Sequence, residues 1–260
     1  MATFLFDEII FGPVKSRRLG VSLGINLLPT KKKVCNFNCI YCECGWTSDI
    51  EKAVNHLPGR DEVYIALERK LKELKKKSRA IDVITYAGNG EPTLHHDFPG
   101  IIDDSISLRD KYFPETKIAV LSNATTLGNP LVNAALLKVD MNILKLDSAF
   151  EATIKIHNQP RVDFNVEELI NRLSELNGKV IIQTLFLRGK YNGKIIDNTT
   201  PAEINAWLKA IEKIKPSEVM IYTISRDTPA EGQLIKVPVK DLKGIAELVE
   251  SMGIRTQVSG

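Results

Sequence analysis

Short apolar runs and amphipathic stretches alternate along this chain six times, and that alternation restricts the fold more than any other feature. The apolar runs read as strands over 21–28, 80–88, 117–123, 141–147, 179–189 and 218–226. Helical patterns follow over 60–77, 96–112, after Pro130, 164–176, 200–214 and 239–253, and "IRTQV" (254–258) adds an edge strand. Thr200, Pro201 and Glu203 supply the N-cap, the first-turn proline and the N3 acid of a capping box. Strands such as "KVIIQTLFL" are apolar almost throughout, the pattern of a parallel sheet covered on both faces. Right-handed crossovers curl six such units into an α/β fold, a partial (β/α)6 barrel of TIM-like type. At 43% apolar residues the chain has enough for one sizeable core, and a single domain over 1–260 is expected. No apolar run reaches the roughly 18 residues of a membrane span.

Barrels of this kind carry their chemistry at the C-terminal ends of the strands. A cysteine loop follows the first strand, "GNGEPT" the second and "SNATT" the third. "KLDS" ends the fourth, "RGKYNG" follows the fifth and "SRDTPAEG" the sixth. Polar residues and glycines thus gather on one rim.

All four cysteines lie between Cys35 and Cys44. The opening "MATFLFDEIIFGPV" has acids at Asp7 and Glu8 and no secretory apolar core. Four cysteines in 260 residues also make no disulfide framework. A cytoplasmic location is expected, with the thiols holding a metal or a cluster. Cys35, Cys39 and Cys42 form C-x3-C-x2-C, three thiolates for the four irons of a cubane. Zinc is the alternative, in a non-catalytic binding module; it needs a fourth ligand, and Cys44 is the nearest.

With Tyr41 directly before its last cysteine, the motif resembles that of the radical S-adenosylmethionine (SAM) enzymes. "FGPVKSRRLGVSLGINLLP" leading into "CNFNCIYCECG", then "GNGEPTLH", "QTLFLRG" and "YTISRDTPAEG", are similar to the branch containing the wyosine-tRNA-synthesis proteins. The resemblance implies a [4Fe–4S] cluster on Cys35, Cys39 and Cys42 whose open iron binds the amino and carboxylate groups of SAM. One electron then cleaves the sulfonium C–S bond, and the 5′-deoxyadenosyl radical abstracts hydrogen from a substrate. An electron donor such as flavodoxin or ferredoxin is implied as a partner.

Further positions follow from the resemblance. Tyr41 lies on the cofactor side. Gly88 and Gly90 let backbone polar groups approach the methionyl ammonium, with Glu91 as a further partner; the alternative is a tight turn with Glu91 solvated. By their place at the strand ends, Ser122 and Asn123, or else Lys145 and Asp147, reach for the ribose hydroxyls; the alternatives are a plain turn and an internal Lys145–Asp147 ion pair. Gln183 faces SAM or bonds backbone. His95 and Arg226 contact substrate, or else serve structure and pair with Asp227 respectively. Cys44 is a spare thiol beside the cluster.

Net charge is +3, and basic runs at "KSRR" (15–18) and "KKK" (31–33) flank strand 1 and the cysteine loop. They favour tRNA, another nucleic acid or a nucleotide as substrate; a small metabolite or a peptide is the alternative. Wyosine chemistry is associated with a second cluster, and this chain has no cysteines to spare for one.

Overall fold

A computed structural model describes residues 4–47, 57–230 and 233–260. Eight strands form one sheet in the order β1-β2-β3-β4-β5-β6-β9-β11. The strands are β1 (Ile10–Ser16), β2 (Gly20–Ile25), β3 (Val83–Tyr86), β4 (Lys117–Ser122), β5 (Met141–Lys145), β6 (Ile181–Leu185), β9 (Glu218–Tyr222) and β11 (Arg255–Ser259). Only the β1–β2 pair is antiparallel; every later pair is parallel. The six expected strands are all present, as is the edge strand, and the curled sheet is the expected partial barrel.

Helices α1 (Arg60–Lys76), α2 (Phe98–Tyr112), α3 (Pro130–Leu136), α4 (Glu151–His157), α5 (Val166–Ser174), α6 (Pro201–Ile214) and α7 (Val239–Glu250) connect the strands. In α1 the buried residues Val63, Leu67, Leu71 and Leu74 repeat at helical spacing and make the stripe that meets the sheet. Outward strand residues such as Leu23, Ile84, Val120, Leu144, Ile182 and Val219 join the same core. Inward residues alternate with them. Val83, Ala119, Ile143, Ile181 and Met220 make an apolar layer inside the barrel, with Leu19 packed against it. One step further along each strand, Thr85, Leu121, Lys145, Gln183 and Tyr222 line a cavity. This double burial is why the strands read as unbroken apolar runs.

Four features differ from expectation, the first being helix α4, which no expected helix covers. The N-terminal strand β1 forms a hairpin with β2, and its turn bridges the two sheet edges: Arg17 Nη1 donates to Gly260 O (3.1 Å) and Gln257 Nε2 to Arg18 O (3.0 Å). The fifth expected strand is two. It changes sheets at Phe186, and its second half, β7 (Leu187–Tyr191), joins β8 (Lys194–Asp197) and β10 (Leu234–Lys236) in a separate antiparallel sheet. Half of the capping box is missing: Thr200 Oγ1 accepts from Glu203 N (3.3 Å), but the Glu203 carboxylate accepts from Ser148 (2.6 Å) and Thr153 instead of turning back.

Candidate active site

The cysteine loop leaves β2 through Asn26–Pro29 and is stitched to the loop after β3. Val34 N donates to Asn89 O (2.8 Å) and Glu91 N to Val34 O (3.0 Å). This close approach explains Gly90: its φ is +140°, and a Cβ there would stand 1.8 Å from Val34 O. Gly88 is constrained likewise, since a Cβ would meet Asn26 Oδ1 at 2.6 Å. The two glycines therefore serve the seating of one loop on the other, and the Gly88 carbonyl accepts from Cys44 Sγ (3.3 Å).

Cys35 and Cys39 are buried; Cys42 and Cys44 are half-buried. Each of the two buried sulfurs accepts from an amide. Phe37 N (3.4 Å) and Asn123 Nδ2 (3.6 Å) reach Cys35 Sγ, and Asn158 Nδ2 reaches Cys39 Sγ (3.5 Å). Lys33, only 2% exposed, donates through Nζ to Gly45 O (3.0 Å). Burial alone would lower its pKa, yet the facing Cys42, Cys35 and Cys39 raise it. The thiols of Cys35 and Cys39 are pushed up by burial, against the pull of Lys33. Cys42 is lowered to about 5, first by a hydrogen bond from Cys44 and then by Lys33, with burial opposing. Cys44 moves up as the donor of that pair. This donor set fits an anionic iron–sulfur cluster: three thiols from one loop, amide donors on the sulfurs and a buried cation beside them. Among the described residues no three His, Cys, Asp or Glu side chains converge as a single metal ion requires.

The remaining expected residues divide. Glu91 is 2% exposed and ties loops together: Oε1 accepts from Thr93 N (3.1 Å) and Thr93 Oγ1 (2.6 Å), Oε2 from Asn123 N (2.7 Å). Burial raises its pKa although these bonds oppose it. Asn123 points Nδ2 at Asn36 Oδ1 (2.6 Å), on the cysteine loop, and Ser122 Oγ accepts from Ala124 N (3.0 Å). Asp147 is a buried hub. Its Oδ2 accepts from Tyr41 and Asn158 Nδ2 (2.7 Å), and its Oδ1 from Leu185 N (2.9 Å) and Lys145 Nζ (3.4 Å). The Lys145–Asp147 pair is thus internal, and Lys145 also donates to Tyr222 Oη (2.9 Å). The Gln183 carbonyl bonds a side chain instead of backbone: Oε1 accepts from Arg18 Nη1 (3.1 Å).

Cys35, Cys39, Tyr41, Cys42, Gly88 and Gly90 line one cavity of about 510 Å³, together with Glu91, Ser122, Asn123, Lys145, Gln183 and Arg226. Arg226, 64% exposed, stands at its edge and pairs with Glu43 (2.7 Å), not with Asp227. The last two residues of "SRDTPAEG" lie outside the described residues. His95 does not line the cavity. Its Nε2 bonds Pro58 O (2.8 Å) and its Nδ1 accepts from Asp97 N (3.1 Å), so both nitrogens are engaged in structure. The three lysines at 31–33 do not form one surface either. Lys31 is exposed and Lys33 is buried, because the chain turns inward at Val34 to reach the cysteines. Arg18, placed before a strand whose chemistry lies at its other end, nevertheless reaches the cavity.

Residues 32–199 match the Radical SAM superfamily, and the chain belongs to it. The family's cofactors are a [4Fe–4S] cluster and SAM, and its chemistry draws on a reductant. Among curated relatives, a UPF0026 protein of Synechocystis sp. is 30% identical over 230 residues, covering 86% of this chain and 78% of that one. A Brachyspira hyodysenteriae protein named GTPase Obg is 30% identical over 226 residues, covering 85% of this chain but 31% of its own length. A Sphaerobacter thermophilus radical SAM methyltransferase shares the fold with a TM-score of 0.66 at 13% identity, over 92% of this chain and 65% of that one. Archaeal TYW1 shares it with a TM-score of 0.51 at 12% identity, over 88% and 71%. No helix among the described residues is long and apolar enough to cross a membrane.

Sequence reasoning placed Lys33 and Arg18 only in the basic runs beside the cysteine loop, not inside the cavity, and missed Asn158 altogether. Lys33 had a signal, its place two residues before Cys35. Asn158 follows α4, a helix the pattern did not reveal, and had none.

Proposed function

We propose that this chain is a radical SAM enzyme in which Cys35, Cys39 and Cys42 hold a [4Fe–4S] cluster, SAM occupies the adjoining cavity, and the substrate is a small molecule. Residues 1–260 act as one catalytic unit, reduced by a flavodoxin- or ferredoxin-like donor. The observation that carries the reading is the shared cavity: the three thiols open onto the same space as Glu91, Asn123, Lys145 and Gln183. Its volume, about 510 Å³, lies within the range of small-molecule sites, about 300–1,000 Å³. Burial of Lys33 takes the lysine nearest the cysteines out of the basic margin that a nucleic acid would need, and so supports the small-substrate reading over tRNA.

Held by Cys35, Cys39 and Cys42, the cluster would supply the electron for reductive cleavage of SAM, and with it the capacity for hydrogen abstraction. The protein's own residues prepare that space. Lys33 offsets negative charge on the thiolates from the buried side. Asn123 and Asn158 hold Cys35 and Cys39 in place by donating to their sulfurs. Glu91 fixes the spacing between the loops after β3 and β4 through Thr93 and Asn123. Tyr41, anchored on Asp147, fixes the loop between Cys39 and Cys42.

Anaerobic reconstitution tests the reading. A brown protein with about four irons, forming 5′-deoxyadenosine when reduced with SAM, is expected. A colourless zinc protein forming none refutes it. Stimulation by the small-molecule fraction of a cell extract, and not by its RNA, is the expected second result.

A further inference from the structure

Six cationic side chains line the cavity against two carboxylates. Both carboxylates are engaged: Glu91 by Thr93 and Asn123, Glu43 by Arg226 (2.7 Å). Most of the cations are engaged too. Lys33 faces the thiols, Lys145 bonds Asp147 and Tyr222, and Arg17 bonds the Gly260 carbonyl. Arg18 is different. It rises from the hairpin turn, past the apolar layer around Leu19, Val83 and Met220, into the polar layer of Lys145, Gln183 and Tyr222. Its guanidinium carbon stands 4.5 Å from the centre of the Tyr222 ring, and Nη1 donates to the neutral Gln183 carbonyl (3.1 Å). Among the described residues no carboxylate pairs with it.

A half-buried guanidinium inside a barrel, stacked and oriented but lacking a counter-charge, is built to receive one. Its planar fork of donors matches the two oxygens of a carboxylate or a phosphate, and most of its N–H groups are uncommitted. Ring and amide hold the fork in place, so little freedom is lost when an anion binds. Arg18 also enters from the end opposite the thiols.

We propose that the cavity recognises its substrate by an anionic group, a carboxylate or a phosphate, bound by Arg18 in the setting made by Gln183 and Tyr222. The proposal rests on the small-substrate reading of the function and supplies its chemical class. Calorimetric titration with inorganic phosphate and, separately, with acetate tests it and tells the two groups apart. It is run on cluster-loaded protein saturated with SAM and again on the cluster-free chain, so that a failure of the SAM reading leaves the second titration to decide. Saturable binding of at least one anion is expected. Arg18→Gln should weaken it roughly tenfold or more, the worth of a charged hydrogen bond, while Lys243→Gln, exposed on α7 and outside the cavity, leaves it unchanged. Arg18→Lys keeps the charge but not the fork and should weaken binding less; it decides the matter if Arg18→Gln does not fold. SAM affinity should be the same in all variants. Three results would overturn the proposal: no saturable binding of either anion to the wild type, binding undiminished in the Arg18 variants, or SAM affinity falling in step with anion affinity.

Discussion

Asp147→Ala should destabilise the protein far more than its single carboxylate suggests. The side chain of Asp147 is 0% exposed and that of its partner Lys145 is 14% exposed. Removing one member of a buried ion pair typically costs about 3–5 kcal/mol, because the other charge is left uncompensated. The Leu185 N–H, which donates to Asp147 at 2.9 Å, is stranded as well. A buried unpaired donor costs about 1–3 kcal/mol, but the two costs overlap. We take roughly 3–5 kcal/mol in total, which for a chain of this size lowers Tm by roughly 6–20 °C. Thermal unfolding of the cluster-free chain measures it without interference from iron. Asp147→Asn has one oxygen for bonds now made by two, and should fall between Asp147→Ala and the wild type. Adding Lys145→Met to Asp147→Asn removes the orphaned charge and should recover part of the loss. A Tm for Asp147→Ala within about 2 °C of the wild type, or no recovery in the double variant, would refute the reasoning.

Other consequences are as direct. Cys42→Ser should lose most of its iron on reconstitution, while Cys44→Ser keeps it; equal loss in an iron assay would make Cys44 a ligand. In the cluster-free chain Cys42, lowered to about 5 by Cys44 and Lys33, should react with iodoacetamide at neutral pH ahead of Cys35 and Cys39. Its rate should fall as pH drops through about 5, and Cys44→Ala should move that fall to higher pH, as read by peptide mass mapping. His157 is held by burial at about 4 instead of 6.5, so between these values the unfolded chain takes up a proton that the folded chain refuses. Stability should therefore decline by roughly 3 kcal/mol as pH falls through that window. Denaturant unfolding across the window should show a flatter profile for His157→Phe.

The parallel strands were legible because helices cover one face and the barrel interior fills the other, leaving no polar alternation to obscure them. β1 was not, since most of its residues are half-buried or exposed and "FGP" interrupts the run. The β7–β8 hairpin carried a readable signal, "YNGK", in which Asn192 and Gly193 both have positive φ as a tight hairpin turn requires. It was read as rim loop because it directly follows a strand expected to end there. Among site residues, those on the motif loops were readable from their order after each strand. What order cannot give is the partner across the barrel. Gln183 is expected to face SAM or bond backbone, and its partner is Arg18, 165 positions earlier in the chain.

The lysine run shows most clearly where a sequence rule gives way. A cluster of like charges ordinarily marks a solvated face, since burying an ammonium is costly. Lys33 is buried because the cost is met locally. Its ammonium has the Gly45 carbonyl at 3.0 Å and faces three thiols, which hold it charged although burial alone would do the reverse. The same contact works on the sulfurs, since Lys33 pulls down the pKa of each thiol of the motif. Lys31 meets no such partner among the described residues and is exposed. Identical residues two positions apart thus take opposite environments, decided by which of them meets the cysteines. The run therefore belongs partly to the cluster site, and its length overstates the basic surface left for a polyanionic partner.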